Sequence, residues 1–472
     1  MSTGLSVRDW TIGRLAATAG YALSGGGGPV VSGVQEDSRR CGPGDLFVAV
    51  PGTQANGLAF VPDALARGAV AVAAEQDPRA GVPWVQVSSA RRAAGRLADL
   101  VYGDPSRELV LIGVTGTNGK TTTAHLTAQL LPGQTGFIGT TGITYPGVIR
   151  ESANTTPGAT ALRRHLRAMV DAGCTACAME VSSHALDQRR VDGLRFAAAV
   201  YTNLSGDHLD YHGSLEEYAA AKARLCWLLG PGAVAIVNAK DPACQRIATS
   251  ARVVPFQASN ISVEPTCTRF VWRGREATVP LVGRHNAENA VAALETACAL
   301  GVAPDEAELM LARALPARGR LEPVQREPFL VVVDYAHTDD ALDKALESVR
   351  EVTSGSVLVV FGCGGDRDRT KRPRMGAVAA RHADGIFVTN DNPRSEDPER
   401  IAAEVVAGLG QRQAKVQLDR REAIREAIAA ARPGDAVVIA GKGHETYQLV
   451  GSERRPFDDA AVAREALAFR RP

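Results

Sequence analysis

Apolar positions fall into two repeating sets along the chain. In the first, continuous apolar runs recur as LVLIGV (109–114), CAMEV (177–181), AAAVYTNLS (197–205) and AVAIVN (233–238). In the second they recur as FLVVVDYAH (329–337), SVLVVFGCGG (356–365), GIFVTNDNP (385–393) and DAVVIAGKGHE (435–445). Unbroken runs of this length suit strands buried on both faces, as in parallel sheets. Helical segments separate them, which predicts doubly wound α/β sheets. Residues 1 to about 106 read differently. GDLFVAVPGTQANG (44–57) is a β-run ending in a Pro-Gly turn, GAVAVAAE (68–75) follows, and 90–103 has helical spacing. GDPSRE (103–108) reads as a linker. The expected class is α/β in three domains, 1–106, 107–322 and 323–472. Each run of the last domain ends in a polar or Gly-rich loop, and ligands of open α/β sheets bind beyond such strand ends.

Composition narrows the function classes. The 472 residues carry 53 Lys and Arg against 52 Asp and Glu, a formal net charge of +1. A dedicated nucleic-acid or membrane-surface protein would show a basic excess. The stretch GDRDRTKRPR (365–374) is basic, but aspartates interrupt it and it holds no aromatic residue, so nucleic acid is not the expected partner. No apolar run reaches a membrane span. The eight cysteines sit mostly in apolar runs and read as reduced core thiols. A cytoplasmic location is the expectation.

Candidate chemistry starts at VTGTNGKTT. A strand (109–114), a Gly-rich loop and a helix follow one another. Gly116, Thr117, Asn118, Gly119, Lys120, Thr121 and Thr122 form a loop whose amides and helix dipole suit an anion. Lys120 can reach terminal phosphates, and the Thr121 hydroxyl can ligate Mg²⁺. The usual phosphate-loop spacing is broken, because its first glycine would fall on Val114. Glu180 and His208 are groups suited to a divalent metal beside phosphates. Taken singly, Glu180 could equally cap the next helix, and His208 could bond within its loop. Lys222 lies on a helix and by itself reads as a solvated surface lysine.

Ordered motifs change that picture. They include DSR (37–39), GTNGKTT (116–122), NTTP (154–157), EVSSHAL (180–186), DHLDYHG (207–213), YAAAK (218–222), GRHNAENAVAA (283–293), GRLE (319–322), DYAHT (334–338), GCGGDRD (362–368), DNPRSEDP (391–398) and AGKGHE (440–445). The set resembles the Mur ligases, ATP-dependent amide ligases of peptidoglycan precursor synthesis. Folylpolyglutamate synthetases are related to them. Asp339, where the family often has Pro, and His285, in a variable slot, are departures.

The resemblance implies a UDP-binding first domain, a central P-loop-type doubly wound sheet that binds ATP, and a Rossmann-like C-terminal domain that binds the amino acid. It implies an acyl-phosphate intermediate formed at the expense of ATP. It makes Lys120, Lys222, His208 and Arg320 catalytic. Thr121, Glu180, His208 and Lys222 become Mg²⁺ ligands, Lys222 as a CO₂-derived carbamate. Arg320 would reach the γ-phosphate, Asp334 the ribose, and Asn286 and Asn289 the adenine region. Ser38, Thr53, Gln54 and Ala55 would hold the uridine end of a UDP-N-acetylmuramoyl-dipeptide. Asn154, Thr155, Thr156, Ser182, Gln188 and Arg190 would hold its dipeptide end. For the incoming amino acid the motifs look closest to the branch that adds meso-diaminopimelate. Arg394 and Arg367 would read the distal carboxylate, Gly441 and Glu445 the distal ammonium, with Asp391, Asn392 and Pro393 beside them. An ordinary ion pair of Arg394 with Glu396 or Asp397 is the competing reading. A lysine-adding or polyglutamate-adding ligase, and a P-loop NTPase of other purpose, stay open alternatives.

Overall fold

The computed structural model describes residues 10–470 except 53–55 and 206. Thr53, Gln54 and Ala55, expected at the uridine end, therefore lie outside the described residues. The chain packs as two compact units, Met1–Phe256 with Glu295–Val302, and Gln257–Leu294 with Ala303–Pro472.

The first unit holds two large sheets, besides a two-stranded pairing of Trp10–Thr11 with Val30–Val31. Its five-stranded sheet runs in the order Ala22–Ser24, Trp84–Gln86, Ala71–Ala74, Asp45–Val48, Gly33–Gln35. Helix Ala90–Tyr102 covers it. Ser89 caps that helix by accepting from the Arg92 amide, and left-handed Gly103 ends it. Its buried face is Ala90, Ala93, Ala94, Leu97, Ala98 and Val101, the spacing read as helical. The eight-stranded sheet has the order Val148–Arg150, Gly142–Tyr145, Thr135–Gly139, Ala176–Glu180, Val110–Thr115, Phe196–Tyr201, Leu229–Asn238, Arg252–Phe256. Its last six strands pair in parallel, as unbroken apolar runs require. Cys174 and Cys177 are buried, and burial pushes both thiols up, as for small core hydrophobes.

The second unit holds a three-stranded antiparallel sheet, Ser259–Val263, Thr268–Trp272 and Arg275–Val279. Its main sheet has six strands in the order Glu322–Gln325, Leu330–Asp334, Ala436–Ala440, Val357–Phe361, Gly385–Val388, Lys415–Val416. Only the Glu322–Gln325 edge is antiparallel. Apolar clusters lie on both faces of this sheet, one around Leu346, Phe361 and Val438, the other around Val331, Ile424 and Ile439. The expected α/β class holds in both units. Among the described residues no helix is long and apolar enough to cross a membrane.

One buried cation ties the two large sheets of the first unit. The Arg163 guanidinium donates to Asp99 Oδ1 on Ala90–Tyr102 at 2.9 Å and to the Arg190 carbonyl at 2.7 Å. It also donates to the Asp192 carbonyl. Its side chain is fully buried, and Asp99 is nearly so. Arg163→Met should therefore cost about 3–5 kcal/mol, the loss typical when one partner of a buried ion pair is removed. Equilibrium denaturant unfolding of the two proteins measures it; a change below about 1 kcal/mol would mean the sheets hold together without this contact.

Candidate active site

Parallel register brings three loops of the first unit to one edge. Val114 pairs with Glu180, and Thr115 with Tyr201. The loop after Thr115, the chain after Glu180 and the chain after Tyr201 therefore leave from the same carboxyl edge, where such sheets bind ligands.

The loop 116–119 is clamped from behind. Gly116 has φ +149°, and a Cβ there would lie 1.9 Å from Thr202 Oγ1. Only glycine fits that approach. Thr202 Oγ1 donates to the Asn118 carbonyl at 2.6 Å. The Asn203 side chain accepts from the Asn118 amide at 2.9 Å and donates to its carbonyl at 3.1 Å. Thr202 and Asn203 were not among the expected site residues. Their signal is a polar pair directly after the apolar run AAAVY. Gly119, at φ +80°, then starts helix Lys120–Leu130.

Both lysines turn inward. Lys120 Nζ donates to the carbonyls of Gly116 at 2.9 Å and Thr117 at 2.8 Å. Lys222 Nζ donates to the same Gly116 oxygen at 2.8 Å and lies 4.4 Å from the centre of the Tyr218 ring. Lys222 is not a surface lysine: it is 2% exposed, on the buried face of helix Leu215–Ala223. Burial first, and then the Lys120 charge, hold its amine well below the ordinary lysine range.

Glu180 is buried and does not cap a helix. Its carboxylate accepts from the Thr140 amide at 2.7 Å and from Thr140 Oγ1 at 3.2 Å. Helix Ser183–Asp187 is capped by Ser182 instead. Around Glu180 the structure gathers most of the expected dipeptide residues. Thr155 Oγ1 is 3.1 Å from Thr140 Oγ1. Thr156 Oγ1 donates to the Glu180 carbonyl at 2.9 Å and accepts from the Ser182 amide at 3.1 Å. Arg190 donates to the Thr156 carbonyl at 2.8 Å and grips Gln188 Oε1 at 2.7 and 3.1 Å. Asn154 is exposed on the same loop. Ser38 is buried in the turn Ser38–Arg40 of the five-stranded sheet, where it hydrogen-bonds Asp63. His208 is exposed at φ +54°, its ring 4.7 Å from that of His184 and its Nε2 3.5 Å from Asp207.

Among the described residues no three His, Cys, Asp or Glu side chains gather into a metal cage. The buried oxygens of Glu180 and Thr121 are hard donors that suit Mg²⁺. An ammonium at Lys222 does not suit it. A carbamate, formed when the neutral amine adds CO₂ and releases a proton, would.

The second unit carries the remaining expected residues. Asn286 and Asn289 are buried and joined, Asn289 donating to Asn286 at 3.0 Å. Asp334 is buried, which pushes its carboxyl up, and it accepts from the Leu321 amide at 2.7 Å and the Ala336 amide at 2.8 Å. It thus fastens the GRLE loop to its strand, and Arg320 of that loop lies 5.1 Å from the centre of the Tyr335 ring. Register pairs Asp334 with Ala440 and Phe361 with Val388, so the loops after these strands share one edge. There Asp391 and Asn392 are buried, Gly441 takes φ +113°, and Glu445 accepts from Asn392 at 2.9 Å. Buried Pro393 precedes Arg394, which takes φ +52° and donates to the Gly365 carbonyl at 2.7 Å. The local ion pair is not made by Arg394, because Glu396 is taken by buried Arg372 at 2.8 Å. Arg367 is exposed and donates to the Asp366 carbonyl.

Comparison with known proteins agrees with these motifs. Residues 30–102 match the Mur ligase family catalytic domain, 114–297 the Mur ligase middle domain, and 319–443 the Mur ligase glutamate ligase domain. The chain belongs to the Mur ligase family. A UDP-N-acetylmuramoyl-L-alanyl-D-glutamate–2,6-diaminopimelate ligase of Synechococcus elongatus is 45% identical, covering 93% of this chain and 94% of that protein. A solved structure of a ligase of the same name is 33% identical, with a TM-score of 0.67 over 98% of this chain and 99% of that one. The fold is also that of a Mycobacterium tuberculosis folylpolyglutamate synthase solved with ADP and AMPPCP (21% identical, TM-score 0.61, 81% of this chain and 95% of that one).

In this Mur ligase the buried lysine has a pH signature. A lysine whose amine titrates lower when folded releases its proton on folding, so stability rises with pH up to the unfolded lysine range. In CO₂-free buffer the wild type should gain stability from neutral pH toward pH 10, by at most about 1.4 kcal/mol per pH unit. Lys222→Met should lose that rise and be the more stable protein at neutral pH. Denaturant midpoints across the range check it; parallel pH curves for both proteins would show that Lys222 is charged in the fold.

Proposed function

We propose that the chain is an ATP-dependent amide ligase that adds meso-diaminopimelate to UDP-N-acetylmuramoyl-L-alanyl-D-glutamate, in the cytoplasmic synthesis of peptidoglycan precursor. The observation that carries this reading is the convergence of Lys120 and Lys222 on the Gly116 carbonyl. The Lys120 ammonium at a phosphate-type loop calls for a polyanion, and the buried Lys222 amine beside it, held well below the ordinary lysine range, favours the neutral form that takes up CO₂. The names of the relatives supply the substrates.

The three-part division at residues 106 and 322 then assigns uridine binding, ATP binding and amino-acid binding in chain order. Arg190 and Gln188 orient the dipeptide carboxylate, which attacks the γ-phosphorus of ATP. The bond to ADP breaks and an acyl phosphate forms. The amine of diaminopimelate attacks the acyl carbon, and phosphate leaves. Lys120 and Arg320 neutralise the charge developing on the transferred group. Asn286, Asn289 and Asp334 hold the nucleoside of ATP. Mg²⁺, when bound, screens the repulsion between the carboxylate and the triphosphate; Thr121, Glu180, His208 and carbamylated Lys222 would hold it.

A panel of amines with ATP and UDP-muramoyl-dipeptide, scored by phosphate release and product mass, tests the reading. Diaminopimelate should be coupled in preference to lysine and glutamate. Equal or better coupling of lysine would move the chain to the lysine-adding branch. Lys120→Ala should lower kcat by roughly 10²–10³ or more, in line with loss of one preorganised charge at a developing anion. Near-normal turnover would remove the loop from the chemistry.

Arg394 should decide the amino acid. Loss of a charged hydrogen-bond partner removes about 1.5–3 kcal/mol. Arg394→Ala should therefore lose roughly ten- to over a hundredfold in kcat/KM for diaminopimelate, at about 1.4 kcal/mol per decade. The constants for ATP and the UDP-precursor should hold. Unchanged diaminopimelate kinetics would reduce the DNPR turn to a surface feature.

A further inference from the structure

A fully buried ammonium lies among the residues assigned to the incoming amino acid. Lys442 is 0% exposed. Its Nζ donates to Glu445 Oε2 at 2.8 Å and to Asn392 Oδ1 at 3.1 Å, and lies 3.8 Å from Asp391 Oδ1. Asn392 also donates to Glu445 Oε2 at 2.9 Å, so that oxygen receives two donors. The Asn392 Oδ1 acceptor is fixed in turn by the Leu449 amide at 2.8 Å, and the Leu449 carbonyl accepts from the Arg394 amide at 3.1 Å. One strand residue therefore links the Lys442 cluster to the Arg394 loop.

The charges here nearly cancel. Asp391 and Glu445 contribute two negative charges, and Lys442 and Arg394 two positive ones. Arg420, whose charge also faces Asp391 and Glu445, is cancelled by Asp459 in a fully buried pair. Arg367 is exposed and sits beside Asp366, whose carboxylate holds Ser395. A distal head bearing both an ammonium and a carboxylate has no net charge and matches such a pocket. A lone terminal ammonium brings an extra positive charge with no carboxylate of its own, and both nearby carboxylates already face Lys442.

We propose that Lys442 is a specificity-determining residue: its ammonium fills the counter-charge of Asp391 and Glu445 and so turns away amino acids that end in an ammonium alone. Discrimination then comes from repulsion of the wrong substrate as well as attraction of the right one. This rests on the ligase reading above and deepens it.

The test measures kcat/KM for diaminopimelate and for lysine in wild type, Lys442→Met, Lys442→Gln and Lys442→Arg, with a thermal melt of each. Gln keeps a donor toward Glu445 without the charge. In Met and Gln variants the ratio of diaminopimelate to lysine efficiency should fall at least tenfold, with lysine efficiency rising in absolute terms. A purely structural role would lower both efficiencies together. Lys442→Arg keeps the charge and should keep the wild-type preference. A ratio within twofold of wild type in the folded neutral variants overturns the proposal. So does loss of the melting transition in the neutral variants, which would assign the ammonium to fold stability. A wild type that couples neither amine overturns the ligase reading itself, and the proposal with it.

Discussion

The carbonyl oxygen of Gly116 accepts from two amine nitrogens, those of Lys120 and Lys222, and the geometry of the first unit follows from that shared contact. One oxygen cannot satisfy two charges in a buried place. The lower-lying amine gives up its proton readily, because burial and its neighbour act in the same direction. A loop lined by backbone amides and the Lys120 ammonium is stabilised when a polyanion arrives. Residue 116 must lack a side chain because Thr202 stands where a Cβ would be. Thr202 and Asn203 in turn hold Asn118 by both its backbone groups, so the loop keeps its shape before any phosphate is present. That is preorganisation, the property that makes fixed donors effective toward developing charge.

Register delivers these residues to one place. Parallel pairing of Val114 with Glu180 and Thr115 with Tyr201 fixes which loop faces which. A slip by one residue would turn every side chain of a strand to the opposite face. Glu180 would then leave Thr140, and the contact through Thr140 to Thr155 would be lost. The apolar runs therefore do more than build a core. Their length sets where each polar loop begins.

Much of this was legible in the chain. Both sets of apolar runs became parallel sheets, because a strand buried on both faces needs an unbroken run. The phosphate-type loop was legible from its glycines despite Val114, since a strand precedes it and a helix follows. Lys222 shows where reading from residues stops. A lysine on a helix reads as solvated, and its burial depends on Tyr218 and on a carbonyl 106 positions away in sequence. Arg394 shows the same limit, because its nearby acid is taken by Arg372, a residue outside the motif. Motif resemblance named both positions; composition and spacing named neither. The packing of the five-stranded sheet with the central sheet was also hidden, since it turns on one buried guanidinium, Arg163, in a helix with ordinary spacing.

The two units handle charge in opposite ways, and the contrast fits the ligands proposed for them. Beside Gly116 stands the Lys120 ammonium, and Glu180 is held back by the Thr140 amide and hydroxyl. Such a site gains most from an anion of several charges, and it tolerates any substrate that brings them. Around Glu445 the charges are matched at close range, the Lys442 ammonium lying 2.8 Å from Glu445 and 3.8 Å from Asp391. A neutralised site has little long-range pull, so what binds there is decided at contact, by which donor meets which acceptor. Recognition of triphosphate needs strength, because the chemistry must overcome repulsion between anions. Recognition of one amino acid among many needs discrimination, and that is gained where each added or missing charge leaves a buried partner unmatched.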